Sequence, residues 1–392
     1  MSYRKFQADY LFDGYNLLNE EQVLITKADG TIEKIIHPGE AGEEVEKLKG
    51  LLSPGFVNCH CHLELSHLKG RTPMKSGLVE FVLFVVSQRK NDPVEIMDCI
   101  KSAEEEMLAA GIIAVGDICN TSDTLTQKSG KHLAYYNFIE LAGWLPDQAH
   151  KRFDSGRSLY DQFAKMTGSE DHLSLSPHAP YSVSNPLWKL LGTRFPQKTI
   201  TIHNQESAAE DAYFISGHGE LTEMYRKMEI ETKHFSGTGT RSLPYYLPLL
   251  GQAQNIILVH NTYTSAGDLS MANKFSRNLF FCLCPNANLY IENRLPDIPE
   301  MIRLNANIVI GTDSLASNLQ LSVLEEMKTI KKYFPEIELS RLLKWATSNG
   351  ARALQLENEL GDFKKGKKPG LVLIESAGKE LIDKDSQCRR IL

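Results

Sequence analysis

The sequence predicts an α/β protein, a (β/α)8 TIM barrel with a small β-sandwich formed by both chain termini. Three observations point there. Eight apolar strand candidates alternate with helical patterns through the middle of the chain. Alternating, turn-rich segments occupy both ends. Residues of metal-binding and acid–base type follow the C-terminal ends of several strand candidates, where a barrel keeps its active site. On this reading residues 1–54 plus 364–392 are the sandwich and residues 55–363 the catalytic barrel.

Taken in order, residues 6–52 alternate and turn, and Asp29-Gly30 is a hairpin signal between Val23-Leu24-Ile25 and Ile32…Ile36. Leu51-Leu52-Ser53-Pro54-Gly55 leads into Phe56–Cys59, the first barrel strand. Seven more strand candidates follow: Ile112–Ile118, Leu133–Ile139, Leu173–Ser176, Thr199–Ile202, Ile256–Val259, Leu279–Leu283 and Ile308–Ile310. Helical patterns such as Pro93–Ala110 and Leu321–Tyr333 lie between them. Leu371–Ile374 and Cys388–Leu392 return to β character, after the charged turn 364–370, which reads as a solvated loop.

Composition narrows the function. A hydrophobic content of 42% suffices for a large core. A net charge of −6 and a pI near 6.1 argue against a polyanionic partner, so no nucleic acid is expected. The seven cysteines are odd in number and mostly sit in apolar runs, and Met1–Lys5 leads into an alternating stretch without a signal pattern. Both features fit a reducing, cytoplasmic setting. No apolar run approaches the ~20 residues of a membrane helix, so no membrane partner is expected.

His60 and His62 stand two apart at the end of the first strand, which places them on one face. Two neutral imidazoles so placed can share one ion; the alternative is a pair of core histidines on an irregular turn. Four further residues sit just past strand ends: His178, His203, His260 and Asp313. Six such residues on five strands are hard to assign to packing alone. His203 is followed one turn later by Glu206, a pairing that reads as ligand and general base. His260 is assigned to the reacting oxygen; its alternative is a hydrogen-bonded histidine outside the ligand set. Asp313 is either a ligating or catalytic carboxylate or the N-cap of the next helix. His178, held between Pro177 and Pro180, suits a positioned substrate contact. Three imidazoles and a carboxylate fit one divalent ion, zinc first and ferrous iron second, with Glu206 and Asp313 moving protons. No lysine ends the fourth strand, where a bridge to a second metal would stand.

The segments Pro54–His62, Ser176–Ser184, His203-Asn204-Gln205-Glu206, Leu258-Val259-His260, Cys284-Pro285-Asn286-Ala287-Asn288, Gly311-Thr312-Asp313 and Asn349–Leu371 together resemble the amidohydrolase superfamily, within it the purine and pyrimidine deaminase branch. The resemblance covers nearly the whole chain. It implies His60, His62, His203 and Asp313 as metal ligands, Glu206 as the proton carrier that serves a ring nitrogen, and His260 as the strand-six histidine. Pro177-His178-Ala179-Pro180-Tyr181 is similar to a segment shared by S-adenosylhomocysteine, methylthioadenosine and aminofutalosine deaminases. In those enzymes a glutamate after strand one grips ribose hydroxyls, and Glu80 in Leu78-Val79-Glu80-Phe81-Val82 matches it; the alternative is a solvated helix residue. Two departures bear on the substrate: Ala287 stands where the family usually has serine, and the stretch from His62 to Glu80 is short. The resemblance also implies a small-molecule substrate and a possible homodimer.

The leading expectation is a metal-dependent hydrolytic deaminase releasing ammonia from an adenine-type nucleoside or purine-like base. The enzymatic alternative is hydrolysis of another C–N bond or ring substituent, as in guanine, pterin or cytosine deaminases, cyclic amidases or chlorohydrolases. The alternative from another class is a metal-binding protein without turnover.

Overall fold

The computed structural model describes residues 2–18, 22–275, 278–376 and 382–392. Part of the C-terminal segment expected in the sandwich, residues 377–381, lies outside them.

The N-terminal region contributes β1 (Tyr3–Phe12), β2 (Leu17–Leu18), β3 (Val23–Lys27), β4 (Ile32–Ile36) and β5 (Glu46–Pro54). The β3–β4 connection is the expected hairpin, with Gly30 at φ +85° and Asp29 Oδ1 accepting from the Thr31 amide at 3.1 Å. Eight parallel strands follow: β6 (Phe56–Cys61), β7 (Ile112–Cys119), β8 (Ala134–Leu141), β9 (Leu173–Pro177), β10 (Thr199–Asn204), β11 (Asn255–His260), β12 (Leu279–Leu283) and β13 (Asn307–Ile310). β14 (Leu371–Glu375) and β15 (Gln387–Arg390) end the chain.

Both termini join one sheet. β5 pairs in parallel with β1 and antiparallel with β14, giving a seven-stranded sheet in the order β15-β14-β5-β1-β3-β4 with β2 beside β1. Where a sandwich was expected, the described residues form this single mixed sheet, because β5 is hydrogen-bonded on both edges and carries the two ends of the chain in one ladder. Phe6, Leu24, Leu52 and Leu373 pack together as its buried cluster.

The eight middle strands form two four-stranded parallel sheets, β6-β7-β8-β9 and β10-β11-β12-β13. They approach at both edges. The His203 amide donates to His178 O at 2.9 Å, and the Thr312 and Asp313 amides donate to His60 O at 3.1 and 3.0 Å. Val57, Cys59, Phe138, Ile257, Val259 and Phe280 share a cluster that spans the two sheets. Gly55, between β5 and β6, allows the first sheet to pass under the terminal one: a Cβ there would stand 2.4 Å from the Ile113 side chain. Helices α1 (Leu78–Gln88), α2 (Pro93–Ala109), α3 (Leu125–Ser129), α4 (Ala149–Thr167), α5 (Asn185–Gly192), α6 (Ala208–Ser216) and α7 (Glu220–Lys227) lie between or after these strands, and a further helix spans Val323–Tyr333. α2 starts where the sequence pattern has it, with Asp92 capping the Val94 amide and Pro93 at the first turn. Among the described residues no helix is long and apolar enough to cross a membrane.

Candidate active site

β6 carries the first two site residues, and its irregularity aims them. Val57 and Cys59 face the cluster between the sheets, so strict alternation would turn His60 away from it. The β6–β7 register shifts between Asn58 and Cys61. Such a bulge inserts a residue and re-aims the side chains beyond it, and the His60 ring meets those of His62, His203 and His260 at centroid distances of 4.9, 5.0 and 5.8 Å. On the opposite edge Asp313 holds φ +57° after β13, pinned by its amide bond to His60 O. Gly311 permits this approach; a Cβ would meet Cys282 Sγ and His60 Cβ, both at 2.8 Å. Asn58 ties the two elements, accepting from the Thr312 amide at 3.0 Å and donating to Thr312 Oγ1 at 2.7 Å.

Four ligand atoms converge here. His62 Nε2 lies 3.2 Å from His60 Nε2 and 3.3 Å from His203 Nε2, while Asp313 Oδ1 stands 3.5 Å from His60 Nε2 and 3.6 Å from His62 Nε2. A tetrahedral ion with bonds of ~2.0–2.2 Å separates its ligands by about 3.4 Å. The donor chemistry agrees. His203 Nδ1 lies 2.8 Å from His178 O, and a carbonyl can only accept, so the proton is on Nδ1 and the lone pair on Nε2. Burial first, then the neighbouring imidazoles, hold the His62 and His203 pKa values well below the ordinary histidine value, which keeps both rings neutral, the form a metal ion would need. Burial alone would raise the Asp313 pKa, but the surrounding histidines outweigh it and keep the carboxyl ionised. These residues fit a divalent ion.

Around that cluster stand the groups that can move protons. Glu206 Oε1 lies 3.6 Å from His260 Nε2. Burial, then the charges of Asp313 and Glu292, push the Glu206 pKa well above the usual carboxylate range. Asn288 sets the His260 tautomer. Its amide nitrogen donates to Thr262 Oγ1 at 2.7 Å, so its oxygen faces His260 Nδ1 at 3.0 Å and that nitrogen carries the proton. His260 Nε2 is then the atom turned to Glu206. His260 itself sits at φ +72°, a strained conformation for a residue with a side chain. His178 Nδ1 meets Ser182 Oγ at 2.8 Å, and burial, then the Arg89 charge, bring its pKa down to about 4.

A cavity of about 400 Å³ opens over these groups. Its far wall is apolar: Phe81, Val82 and Val85 of α1, Trp144, and Met224 and Tyr225 of α7. Trp144 stacks on Tyr225 at 5.8 Å and 7°. The seven expected residues His60, His62, His178, His203, Glu206, His260 and Asp313 meet here. Glu80 does not join them. It sits on the outer side of α1, its side chain 54% exposed and paired with Lys227 of α7 at 2.6 Å, and it does not line the cavity. On α1 the cavity-facing positions are Leu78, Phe81, Val82, Val85 and Val86, and the 3.6-residue period turns Glu80 outward.

Other residues of the site escaped the sequence reading. Glu64 of the segment after His62 accepts from the amides of Asn120 and Thr121, both at 2.9 Å, and from Arg89 Nη2 at 3.0 Å. Glu140 ends β8 beside His178 and His203. Burial raises the pKa of each carboxyl to about 7. Glu140 obeys the same rule that singled out the others, a polar residue just past an apolar strand run, and was within reach of it. Lys128 and Asp117 form a buried pair, and Asp117 Oδ1 takes the Leu63 amide at 2.9 Å, which anchors the turn after His62.

The sequence profile of the amidohydrolase family matches residues 51–387. The chain belongs to the amidohydrolase family. It is a hydrolase of carbon–nitrogen bonds other than peptide bonds. Among relatives, this amidohydrolase is 25% identical over 339 residues to 5-methylthioadenosine/S-adenosylhomocysteine deaminase of Teredinibacter turnerae, covering 83% of this chain and 72% of the relative. It is 25% identical over 361 residues to aminodeoxyfutalosine deaminase of Nitratiruptor sp., covering 89% and 85%. Among solved structures, Helicobacter pylori aminofutalosine deaminase in complex with methylthio-coformycin superposes with a TM-score of 0.80 at 20% identity, covering 96% of this chain and 93% of that one. An adenosine deaminase from Xanthomonas campestris with bound zinc gives 0.70 at 21% identity, covering 96% and 85%.

Proposed function

We propose that this amidohydrolase is a metal-dependent hydrolytic deaminase that releases ammonia from an adenine-type nucleoside or purine-like base. The observation that carries the reading is the placement of Glu206. A buried carboxyl with a raised pKa faces His260 Nε2 at 3.6 Å, beside the converging ligand atoms and inside a cavity of nucleoside size. His60, His62, His203 and Asp313 would hold one divalent ion, zinc first and ferrous iron the alternative. Such an ion, when bound, supplies water acidified toward neutrality.

The chain's own residues do the rest. As the carboxylate, Glu206 takes one proton from water and delivers it to the ring nitrogen while the water oxygen bonds to the amino-bearing carbon. The proton of the new hydroxyl then passes to the amino group, the C–N bond breaks, ammonia leaves and a ring carbonyl remains. His260, its tautomer held by Asn288 with the proton on Nδ1, turns its Nε2 lone pair toward the attacking oxygen and accepts a hydrogen bond from it. His178 contacts the substrate from the neighbouring strand. The apolar wall of α1, α7 and Trp144 excludes water around the rest of the substrate. We further infer that β6–β13 close into one (β/α)8 barrel within residues 55–363, with residues 1–54 and 364–392 as a supporting unit.

An ammonia-release assay with metal-loaded protein over purines, adenine nucleosides and pterins tests this reading. Turnover of adenine nucleosides is expected. Turnover confined to guanine, pterins or chlorinated rings would overturn it.

A further inference from the structure

Glu140 is a buried carboxyl of the cavity that the mechanism above does not use. Its side chain is 6% exposed. Oε2 accepts from Asn120 Nδ2 at 3.0 Å. Asn120 is fixed in turn, since its amide donates to Glu64 Oε2, and Glu64 is held by Thr121 and Arg89. Among the described residues Oε1 of Glu140 makes no hydrogen bond. It lies 3.7 Å from His203 Nδ1, and that nitrogen already gives its proton to His178 O at 2.8 Å. Glu140 is therefore not the group that orients His203. It is a rigidly held acceptor with one oxygen left for something in the cavity.

We propose that Glu140 receives a sugar hydroxyl of the substrate and sets the preference of this site for ribosides. The inference rests on the deaminase reading and names the substrate class within it. An adenine nucleoside carries few hydrogen-bond donors. The ring nitrogens accept, the amino group must lie at the ligand cluster, and the remaining donors are the sugar hydroxyls. The geometry separates the two halves. Glu206 and His260 stand at or just past the ends of β10 and β11 in one parallel sheet, and Glu140 and His178 at or just past the ends of β8 and β9 in the other; all four line the cavity with Trp144 and α1. A purine whose reacting carbon sits at the cluster, with a ring nitrogen toward Glu206, extends its sugar into that space. Glu80 cannot serve there, since it is outside the cavity and paired with Lys227.

The test is a cycle between enzyme and substrate. Ammonia release and calorimetric binding are measured for adenosine, 2′-deoxyadenosine and 3′-deoxyadenosine. The proteins are the metal-loaded wild type, Glu140→Ala and the shape-keeping Glu140→Gln, with metal content determined for each. Losing a hydrogen bond costs roughly 10-fold, and up to about 100-fold where the partner is ionised. Glu140→Ala should lose that factor on adenosine with its metal retained. Removing the recognised hydroxyl should cost the wild type a similar factor, and the two losses should not multiply when combined. Equal losses on all three nucleosides in Glu140→Ala, losses that multiply, or a fall in bound metal in Glu140→Gln would each overturn the proposal. Absence of ammonia release from every adenine nucleoside would sink the deaminase reading separately, while the binding cycle still decides the role of Glu140.

Discussion

Among the cavities of the described residues, two of about 400 Å³ each differ in what their walls do. The first lies over the C-terminal ends of the parallel strands. The second lies beside the start of β13, lined by Tyr15, Arg341, Lys344 and Arg352 among others. The second has the charge that an anion would seek, yet several of its polar groups are spent on the fold. Arg352 Nη2 donates to Asn307 Oδ1 at 3.1 Å, Asn349 Nδ2 donates to Ile308 O at 2.9 Å, and Lys344 lies 5.8 Å from the Tyr15 ring. In the first cavity three imidazole nitrogens and a carboxylate oxygen are turned on one another without a proton donor enough to satisfy them. Volume is common to both; only the first gathers unspent lone pairs in a place removed from water, and that is where chemistry is cheap to perform.

The comparison can be broken most sharply at His203. Replacing it by alanine removes one of the four proposed ligands, so bound metal should fall and ammonia release should drop by more than the ~10–100-fold typical of losing an outer partner of a metal site. Lys344→Ala in the second cavity should change activity by less than about twofold. Elemental analysis beside the ammonia assay checks both, and full metal loading of His203→Ala would remove it from the ligand set.

Glu206→Gln should come next in size. Here the ion should stay while turnover falls ~10²–10⁴-fold, the usual worth of a general acid–base group. A variant within severalfold of wild type would exclude Glu206 as the proton carrier.

A smaller effect tests whether burial behind the site is as costly as its carboxyls suggest. Glu210 is fully buried, its Oε1 takes the Gln205 amide at 3.1 Å and its Oε2 has no partner. Burial first, then the charge of Asp211, raises its pKa to about 8. The folded state therefore holds a proton that the unfolded chain releases near its ordinary ~4.3. The associated stability is complete below that value and is lost as pH rises toward 8, by up to about 1.4 kcal/mol per pH unit. Thermal unfolding between pH 5 and 8 should fall more steeply for wild type than for Glu210→Gln. Parallel curves would contradict the buried proton.

The smallest effect belongs to Glu80. Its exposed pair with Lys227 is worth ~0–1 kcal/mol, so Glu80→Ala should shift melting slightly and leave riboside kinetics within about twofold. A selective loss on ribosides would return the sugar contact to α1.

Much of this site was legible from one dimension. His60, His62, His203, Glu206, His260 and Asp313 could be found because strand ends in a parallel α/β array share one face of the molecule, so sequence position translates into spatial position. Strand boundaries were less legible: β10 and β11 run on through Asn204 and His260, where the parallel ladder continues past the apolar residues that advertise it. Glu80 and Glu140 show the limit from both sides. Both are carboxylates near the ends of apolar runs, yet helical phase turned Glu80 to solvent and strand geometry turned Glu140 into the cavity.

By itself the sequence determined the alternation of strands and helices, the order of the polar residues along them and the residue types that meet at the site, since all of these follow from local period and residue type. Only the tertiary structure decided the rest. The bulge at Asn58–Cys61 aims His60 inward, the left-handed turn at Asp313 closes the ligand set, Asn288 chooses the His260 tautomer, and the two termini share one sheet. Each depends on contacts between residues far apart in the chain, and period and composition carry no record of such contacts.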